Sequence, residues 1–134
     1  MCIRDSIKLL DQLPEVYANL KVDSDTKTVF LGFEGPGTMF EPGKRTIGFG
    51  HITDGSSNTV LCVEANPDNA VEWSKPADLP FDPEKPVTQV GKLRPGGFIA
   101  VLCDGSVHMV SKDVDQDALK HMIQRNDGNV VDIP

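Results

Sequence analysis

The sequence lacks any long apolar run. Its longest uninterrupted apolar stretch is FIAVLC, from Phe98 to Cys103, whereas a helix that crosses a bilayer needs about 20 apolar residues. The chain also does not open with the basic and apolar regions of an export signal. We therefore expect the chain, taken alone, to be soluble and to carry no export signal of its own.

Basic residues are scarce. The 134 residues include 13 Lys and Arg against 20 Asp and Glu, which gives a formal net charge of -7. A surface of this sign repels phosphate backbones and anionic lipids, so the composition argues against nucleic acid or a membrane surface as a partner. A cationic partner or a divalent ion stays compatible with it. The length and the 39% hydrophobic and 25% charged content predict one globular domain.

The sequence contains only part of a calcium-binding motif. Asp113, Asp115 and Asp117 have the spacing of the first ligands of an EF-hand loop. However, Ala118 stands where that loop requires Gly, and Gln124 stands where it requires Glu. Acidic residues at the start of a helix, where the helix dipole favours negative charge, explain the same run.

The motifs of nucleophilic catalysis and of zinc binding are also incomplete. The pair Ser56–Ser57 follows a Gly but lacks the second Gly of a nucleophile elbow. The three His residues lack the paired spacing of a zinc site, and they are His51, His108 and His121. We therefore predict that the protein is not an enzyme, and we assign no catalytic residue, no metal ligand and no cofactor.

Runs of β-branched and apolar residues predict the strands. They span residues 28–32, 58–65, 98–103 and 106–111. Asp104–Gly105 separates the last two strands, and this dipeptide is typical of a two-residue type I′ turn, in which both residues have positive φ. The sequence therefore predicts a β-hairpin, with Gly105 as a structural turn residue.

A short helix is predicted near each end of the chain. The first begins after Asp5 or Ser6. Its apolar positions are Ile7, Leu9, Leu10 and Leu13. The second begins after Asp115 as N-cap and ends near Gly128. Its buried stripe is Leu119, Met122 and Ile123.

The segment from residue 66 to residue 93 is rich in proline. We predict a long loop over the surface there, because loops of this length and composition rarely lie inside a domain. Trp73, the only Trp, is predicted to anchor this loop on the sheet, since a large aromatic ring with a donor suits a half-buried position. In the alternative, Trp73 is an aromatic platform for a sugar.

The stretch TDGSSN, residues 53–58, leads directly into an apolar strand. Asp, Asn and Ser side chains in a tight turn mostly hydrogen-bond their own backbone, and Gly supplies turn geometry. We therefore interpret the stretch as a structural corner, with Gly55 and Asn58 as its turn residues.

Glu64 is the acidic residue of the second predicted strand, and in a regular strand it shares a face with Val60 and Cys62. A buried carboxylate needs a cation, so we expect a structural ion pair with Lys75 or Arg94. The alternative is that Glu64 is a ligand.

Glu64 is also part of a second hypothesis, in which the protein is a binding module. If the loops converge, Asp54, Glu64 and Asp104 can form a binding site for a small ligand or a divalent cation, with Trp73 as a further binding residue. The protein would then be a soluble binding module.

Cys62 and Cys103 each lie in an apolar strand, where a thiol is usually a small buried hydrophobe. A disulfide between them requires that the two strands are adjacent. The sequence leaves this pairing open.

Three stretches resemble successive blocks of one protein family. They are ITDGSSNTVLCVEA, AVEWSKPADLPFDPEKP and RPGGFIAVLCDGSVHMVSKDVDQDALKHMIQRNDGNVV. Together with the preceding segments KLLDQLPEVYANL and VFLGFEGPGTMFEPGKR, they are similar in order and spacing to a large bacterial family of prepilin-like, or pseudopilin-like, proteins of unknown function. The likeness covers nearly the whole chain after its first six residues.

The resemblance implies an α+β fold, with a pilin-like antiparallel β-sheet, flanking short helices and a long Pro-rich loop. It implies a non-enzymatic structural, secretion-linked or assembly-linked role at the cell surface or in the periplasm, with protein partners in a pilus-like or secretion assembly. Members typically begin with a prepilin-type signal and a long apolar helix, so that the membrane is reached only through that helix.

The sequence departs from the family in two places. The opening MCIRDS resembles translated adapter sequence, so we interpret residues 1–6 as a non-native leader and residues 7–134 as a single pseudopilin-like C-terminal domain of an N-terminally truncated copy. Many members also carry a His ten residues before the final Asp-Gly, and Arg94 stands there in this chain. No role of that His is carried over.

Overall fold

The computed structural model describes residues 7–19 and 21–133. In chain order, the strands are β1 (Lys27–Thr28), β2 (Phe30–Leu31), β3 (Phe33–Glu34), β4 (Val60–Glu64), β5 (Val71–Glu72), β6 (Leu79–Pro80), β7 (Gly97–Leu102) and β8 (Val107–Ser111), and the helix α1 (Gln116–Ile123) follows them. This is an α+β structure of small, mainly antiparallel sheets, as the sequence predicts. The leader at residues 1–6, with the predicted caps Asp5 and Ser6, lies outside the described residues.

The largest sheet has the strand order β2-β4-β7-β8, and all its neighbours are antiparallel. The predictions of a strand at residues 58–65 and of a hairpin at residues 98–111 are therefore confirmed, with shifts of one or two residues at the ends. Two smaller sheets pair β1 with β5 in the antiparallel sense and β3 with β6 in the parallel sense.

The single strand predicted at residues 28–32 is wrong. The chain there forms parts of three sheets, because it changes partner at Val29 and again at Gly32. The Val29 carbonyl accepts from Ala65, and Gly32 bonds through its N–H to the Asp78 carboxylate and through its carbonyl to Leu79. A Cβ atom at Gly32 would lie 2.1 Å from the Phe40 ring, so any other residue at this crossing point would displace that ring.

The hydrophobic core lies between one face of the four-stranded sheet and α1. The sheet contributes the buried side chains Leu31, Val60, Val63, Phe98, Ala100, Leu102 and Val110. The helix contributes the predicted stripe of Leu119, Met122 and Ile123, all buried. The Asp115 carboxylate caps the helix by accepting from the Ala118 N–H at 3.1 Å. The helix ends at Ile123, before the position expected from Gly128.

A β-bulge in β4 sets which side chains reach the core. Val60 pairs with Leu102 whereas Cys62 pairs with Val101, so Leu61 is an extra residue in this strand. As a result Val60 and Val63 both face the core, and Glu64 lies on the opposite face. The prediction that Glu64 shares a face with Val60, which assumed a regular strand, is therefore wrong. We call this opposite side of the sheet the outer face. Its side chains are Phe30, Cys62, Glu64, Ile99, Val101, Val107 and Met109.

The long surface loop predicted for the Pro-rich segment is not confirmed, because the segment contains short elements and contributes to the core. It contains β5, β6 and the 3-10 turns Pro67–Asn69 and Pro86–Gln89. It also buries the side chains Leu79, Val90 and Leu93. Pro67 and Pro86 stand in the first turn of each 3-10 helix, where the fixed φ of proline fits and no N–H is required.

Of the predicted N-terminal helix, the described residues contain Ile7 and Lys8, which are helical, and a turn at residues 9–11 follows them. The side chains of Ile7 and Leu9 are 61% and 43% exposed, so they do not form a buried stripe. Residues Glu15–Tyr17 form a 3-10 turn. Within residues 7–19 and 21–133, no helix combines the length and the apolar character needed to cross a bilayer.

The hairpin between β7 and β8 does not use the predicted type I′ turn. Gly105 has a φ of 86°, but no described residue other than Gly has positive φ, so Asp104 does not. The Gly105 N–H donates to the Leu102 carbonyl, and the Leu102 N–H donates to the Ser106 carbonyl. This is the pattern of a three-residue loop that closes with a Gly bulge, which needs positive φ at Gly105 only.

We expect Gly105→Ala to lower the free energy of unfolding by about 1 kcal/mol, because a Cβ atom is strained at positive φ. The matched control is Gly50→Ala. A Cβ atom would meet no heavy atom within 4 Å at either position, and the φ of Gly50 is not positive. Urea unfolding of both variants measures the difference. Equal stability of the two would contradict the φ assignment.

Candidate functional site

Glu64 lies at the centre of a partly buried polar cluster on the outer face. The cluster consists of Asn19, Glu64 and Arg94, and we call it the Glu64 cluster. The Glu64 residue is 1% exposed. Arg94 binds its carboxylate in a bidentate manner, with Nε 2.6 Å from Oε2 and Nη2 3.0 Å from Oε1. The Asn19 Nδ2 donates to Oε1 at 2.7 Å.

The three members of the cluster come from separate parts of the chain. Glu64 ends β4, where it pairs with Phe30 of β2. Arg94 lies in the turn that enters β7 and forms a β-bridge with Gly97. Asn19 belongs to the N-terminal segment, and nearby Lys21 donates from Nζ to the carbonyl of Leu93 at 2.9 Å. The cluster therefore attaches the N-terminal segment to the sheet.

The electrostatics of the cluster are those of a structural ion pair. The hydrogen bonds that Arg94 donates to Glu64, and after them the negative charge of the Glu64 carboxylate, raise the pKa of Arg94. Both Glu64 oxygens accept from fixed donors, so the carboxylate is satisfied without a bound cation. The structure thus pairs Glu64 with Arg94, one of the two predicted partners. Lys75, the other, is an exposed residue.

Asp54 is buried and holds a turn near the C-terminus. Its two carboxylate oxygens accept from the backbone N–H groups of Asp127 at 2.8 Å and Gly128 at 3.1 Å. The Asp54 N–H in turn donates to the carbonyl of Arg125 at 3.2 Å. Asp54 therefore fastens the segment after α1 to the start of β4.

The stretch TDGSSN is a corner made of local hydrogen bonds. Gly55 has a φ of 97°. The Asn58 side chain donates to the Asp54 carbonyl at 3.3 Å, and the Thr59 hydroxyl donates to the Gly55 carbonyl at 3.0 Å. Ser56 contributes its carbonyl, which accepts from the Asp104 N–H at 3.1 Å. These bonds orient the strand that follows.

Asp104 has a local partner of its own. Its Oδ1 accepts from the Ser106 hydroxyl at 2.6 Å and from the Ser106 N–H at 2.9 Å. These two hydrogen bonds hold the pKa of Asp104 below its usual value. Asp104 therefore stabilises the hairpin loop.

The structure does not bring Asp54, Glu64 and Asp104 together. The first and last lie at the start of β4, whereas Glu64 lies at its end, and the four residue steps along the strand from Val60 span about 13 Å. Within residues 7–19 and 21–133, no group of three or more His, Cys, Asp or Glu side chains is arranged to hold a metal ion. The predicted three-carboxylate site therefore does not form.

The His residues also have separate local partners. The His51 Nδ1 accepts from the Gly48 N–H at 3.0 Å. His108 contacts the Ser106 hydroxyl, and His121 pairs with the Asp127 carboxylate. These contacts stabilise three different turns.

Cys62 and Cys103 are free thiols, and both are half-buried. Burial raises the pKa of Cys62, as does the charge of Asp78. Burial, and after it the neighbouring Asp104 and Cys62, raise the pKa of Cys103 to about 11. Since the thiolate is the nucleophilic form, this environment does not activate either thiol.

A cavity of about 440 Å³ lies beside the N-terminal segment, and the sequence did not predict it. Tyr17 and Trp73 stack there with ring centroids 6.1 Å apart. The apolar side chains of Phe30 and Val71 also line the cavity. The Trp73 Nε1 donates to the Leu10 carbonyl at 3.1 Å. Trp73 therefore packs on the N-terminal segment, and its donor is already engaged.

Comparison with protein-family models, with curated proteins and with solved structures finds no match to this chain. The resemblance to prepilin-like proteins therefore stays a prediction from the sequence.

We expect Glu64→Gln to lower the free energy of unfolding by about 2 kcal/mol, because hydrogen bonds to a charged group are stronger than those to a neutral amide. The variant keeps the shape of the side chain but removes the charge that faces Arg94. The matched control is Glu72→Gln, at an exposed position in β5. Thermal melting with and without calcium measures both variants.

The same experiment separates the structural role of Glu64 from a ligand role. Carboxylates of an empty cation site repel one another, so neutralising one of them would raise the melting temperature of the metal-free protein. A variant that melts higher than the wild type without metal, together with a calcium-dependent shift in the wild type alone, would contradict the structural role.

Proposed function

We propose that this chain is a pseudopilin-like domain that acts outside the cytoplasm by packing in a pilus-like or secretion assembly, without catalysing a reaction. The sequence resemblance suggests this role, and the Glu64 cluster is the observation that supports it best. In this cluster the fully buried Glu64 carboxylate pairs with Arg94, whose side chain is 39% exposed, and accepts from Asn19, which fixes the N-terminal segment on the sheet.

A domain carried by a preceding helix needs such an attachment. Its orientation relative to that helix depends on how firmly the connecting segment is held. Here Asn19 and Lys21 both bond across to the region around β4 and β7. Both bonds are partly buried, so water competes with them less than it does with bonds at the surface. The described N-terminal segment is thus suited to hold the sheet in a fixed orientation relative to a preceding helix.

The native gene tests this proposal. We expect the reading frame upstream of Ile7 to encode a prepilin-type cleavage site followed by an apolar helix of about 20 residues. Fractionation of the source cells, with an antibody against this domain, should then find the protein outside the cytoplasm. A gene without such an upstream segment, or a protein confined to the cytoplasm, would contradict the proposal.

The cavity favours a second candidate, a binding module for a small apolar ligand. Its volume is within the range of ligand pockets, which runs from about 300 to 1,000 Å³. Its walls combine the stacked rings of Tyr17 and Trp73 with Phe30, so they fit a planar apolar group. Lys75 and Asp78 provide charge at its lining.

Trp73 reports directly on this cavity, because it is the only Trp of the chain. If the cavity binds planar apolar molecules, titration with anilinonaphthalene sulfonate should give saturable energy transfer from Trp73 to the dye. We expect Tyr17→Ala to weaken this binding about tenfold, since it removes the stacking partner. Phe49→Ala, at a 75% exposed aromatic residue outside the lining, is the control. Transfer that does not saturate, or that is equal in both variants, would contradict the second candidate.

A further inference from the structure

The edge of the four-stranded sheet at β8 presents unpaired backbone groups. His108 pairs with Ala100 and Val110 pairs with Phe98, so the N–H and C=O groups of these residues point towards β7. The backbone groups of Val107 and Met109 consequently point away from the sheet. Among the described residues, no hydrogen bond to the N–H or C=O of Val107 or Met109 is formed on that side.

This edge lacks the features with which soluble proteins usually protect an edge strand. The sequence of β8 is VHMVS, without Pro or a Lys or Glu side chain, and its pairing with β7 is regular, without a bulge. The side chains of Val107 and Met109 are 62% and 49% exposed on the outer face. An apolar strip therefore adjoins a row of free donors and acceptors.

We propose that β8 pairs in the antiparallel sense with β8 of a second copy of this chain. A two-fold axis through Met109 places each Val107 opposite Ser111 of the other copy and each Met109 opposite its counterpart. The outward groups of Met109 then bond to one another and those of Val107 bond to Ser111, whose carbonyl also accepts from the Val114 N–H at 3.1 Å. The two outer faces join into one continuous apolar strip. Such an interface is isologous, so it closes at a dimer. This association does not depend on the pseudopilin proposal.

The charges at the ends of β8 favour a second copy as the occupant. In the two-fold register Lys112 of one copy lies opposite Ser106 of the other, and the Ser106 hydroxyl is bound to the Asp104 carboxylate at 2.6 Å. Each end of the paired strands thus brings the Lys112 cation of one copy near the Asp104 carboxylate of the other, and Asp113 follows in the turn that leaves the strand. The strand itself contributes no like charges that would face each other.

The net charge of -7 on each copy opposes association at long range. This repulsion is screened at an ionic strength of 0.15 M, where the Debye length is about 8 Å. The contacts along β8 are shorter than this length and keep most of their strength. Association should therefore become tighter between low salt and physiological salt.

Sedimentation velocity over a series of concentrations, under reducing conditions and at physiological salt, tests the proposal. Reducing conditions remove disulfide-linked dimers. We expect a reversible monomer–dimer equilibrium for the wild type. Val107→Lys should raise the dissociation constant at least about tenfold, because it places a charge in the apolar strip and opposite the other copy.

Val130→Lys is the matched control. Val130 is 60% exposed and Val107 is 62% exposed, so the two variants make the same change of residue and of charge at equal exposure. Val130 lies outside β8. We expect the control to dimerise as the wild type does, and thermal melting should show that both variants are folded.

Amide hydrogen exchange of the unmodified protein locates the interface. The N–H groups of Val107 and Met109 should become protected as the protein concentration rises, whereas those of His108 and Val110 are already protected by β7. A monomer at every concentration would overturn the proposal. So would a dimer that persists in Val107→Lys, or one whose formation leaves the exchange of Val107 and Met109 unchanged.

Discussion

The ion pair between Glu64 and Arg94 is the interaction on which the arrangement of the outer face depends. Burying a carboxylate costs several kcal/mol unless its charge is matched and its oxygens are bonded. Here one guanidinium and one amide meet this requirement, and they come from the turn before β7 and from the N-terminal segment. Loss of Arg94 would leave the buried charge of Glu64 unpaired, and loss of Asn19 would remove one of the two hydrogen bonds to Oε1, so the carboxylate fixes the positions of both segments.

The opposite end of β4 has a comparable organisation, built from different groups. Arg125 is 2% exposed, and its guanidinium donates to the Thr38 carbonyl at 2.6 Å and to the Glu41 carboxylate at 2.7 Å. Its backbone carbonyl accepts from Asp54. Buried charged side chains therefore tie loops to both ends of one central strand. Between them the core consists of apolar side chains from β4, β7, β8 and α1.

Local signals in the sequence predicted the elements that local interactions determine. The hairpin at residues 98–111 and the cap and buried stripe of α1 follow from neighbouring residues, and these predictions are confirmed. The bulge at Leu61 and the change of partner at Gly32 depend on distant strands, which no short stretch encodes. For the same reason the sequence did not show whether Lys75 or Arg94 is the ion-pair partner of Glu64. It also gave no sign that Tyr17 and Trp73 border a common cavity.

The burial of the Cys62 and Cys103 thiols affects how fast they react with oxidants and disulfides. With a pKa of about 11, Cys103 carries a thiolate in roughly one molecule in ten thousand at neutral pH. Disulfide exchange and oxidation to sulfenic acid both begin from that form. Burial therefore slows the entry of Cys62 and Cys103 into both reactions, and β4 and β7 pack against each other without a disulfide between these two residues.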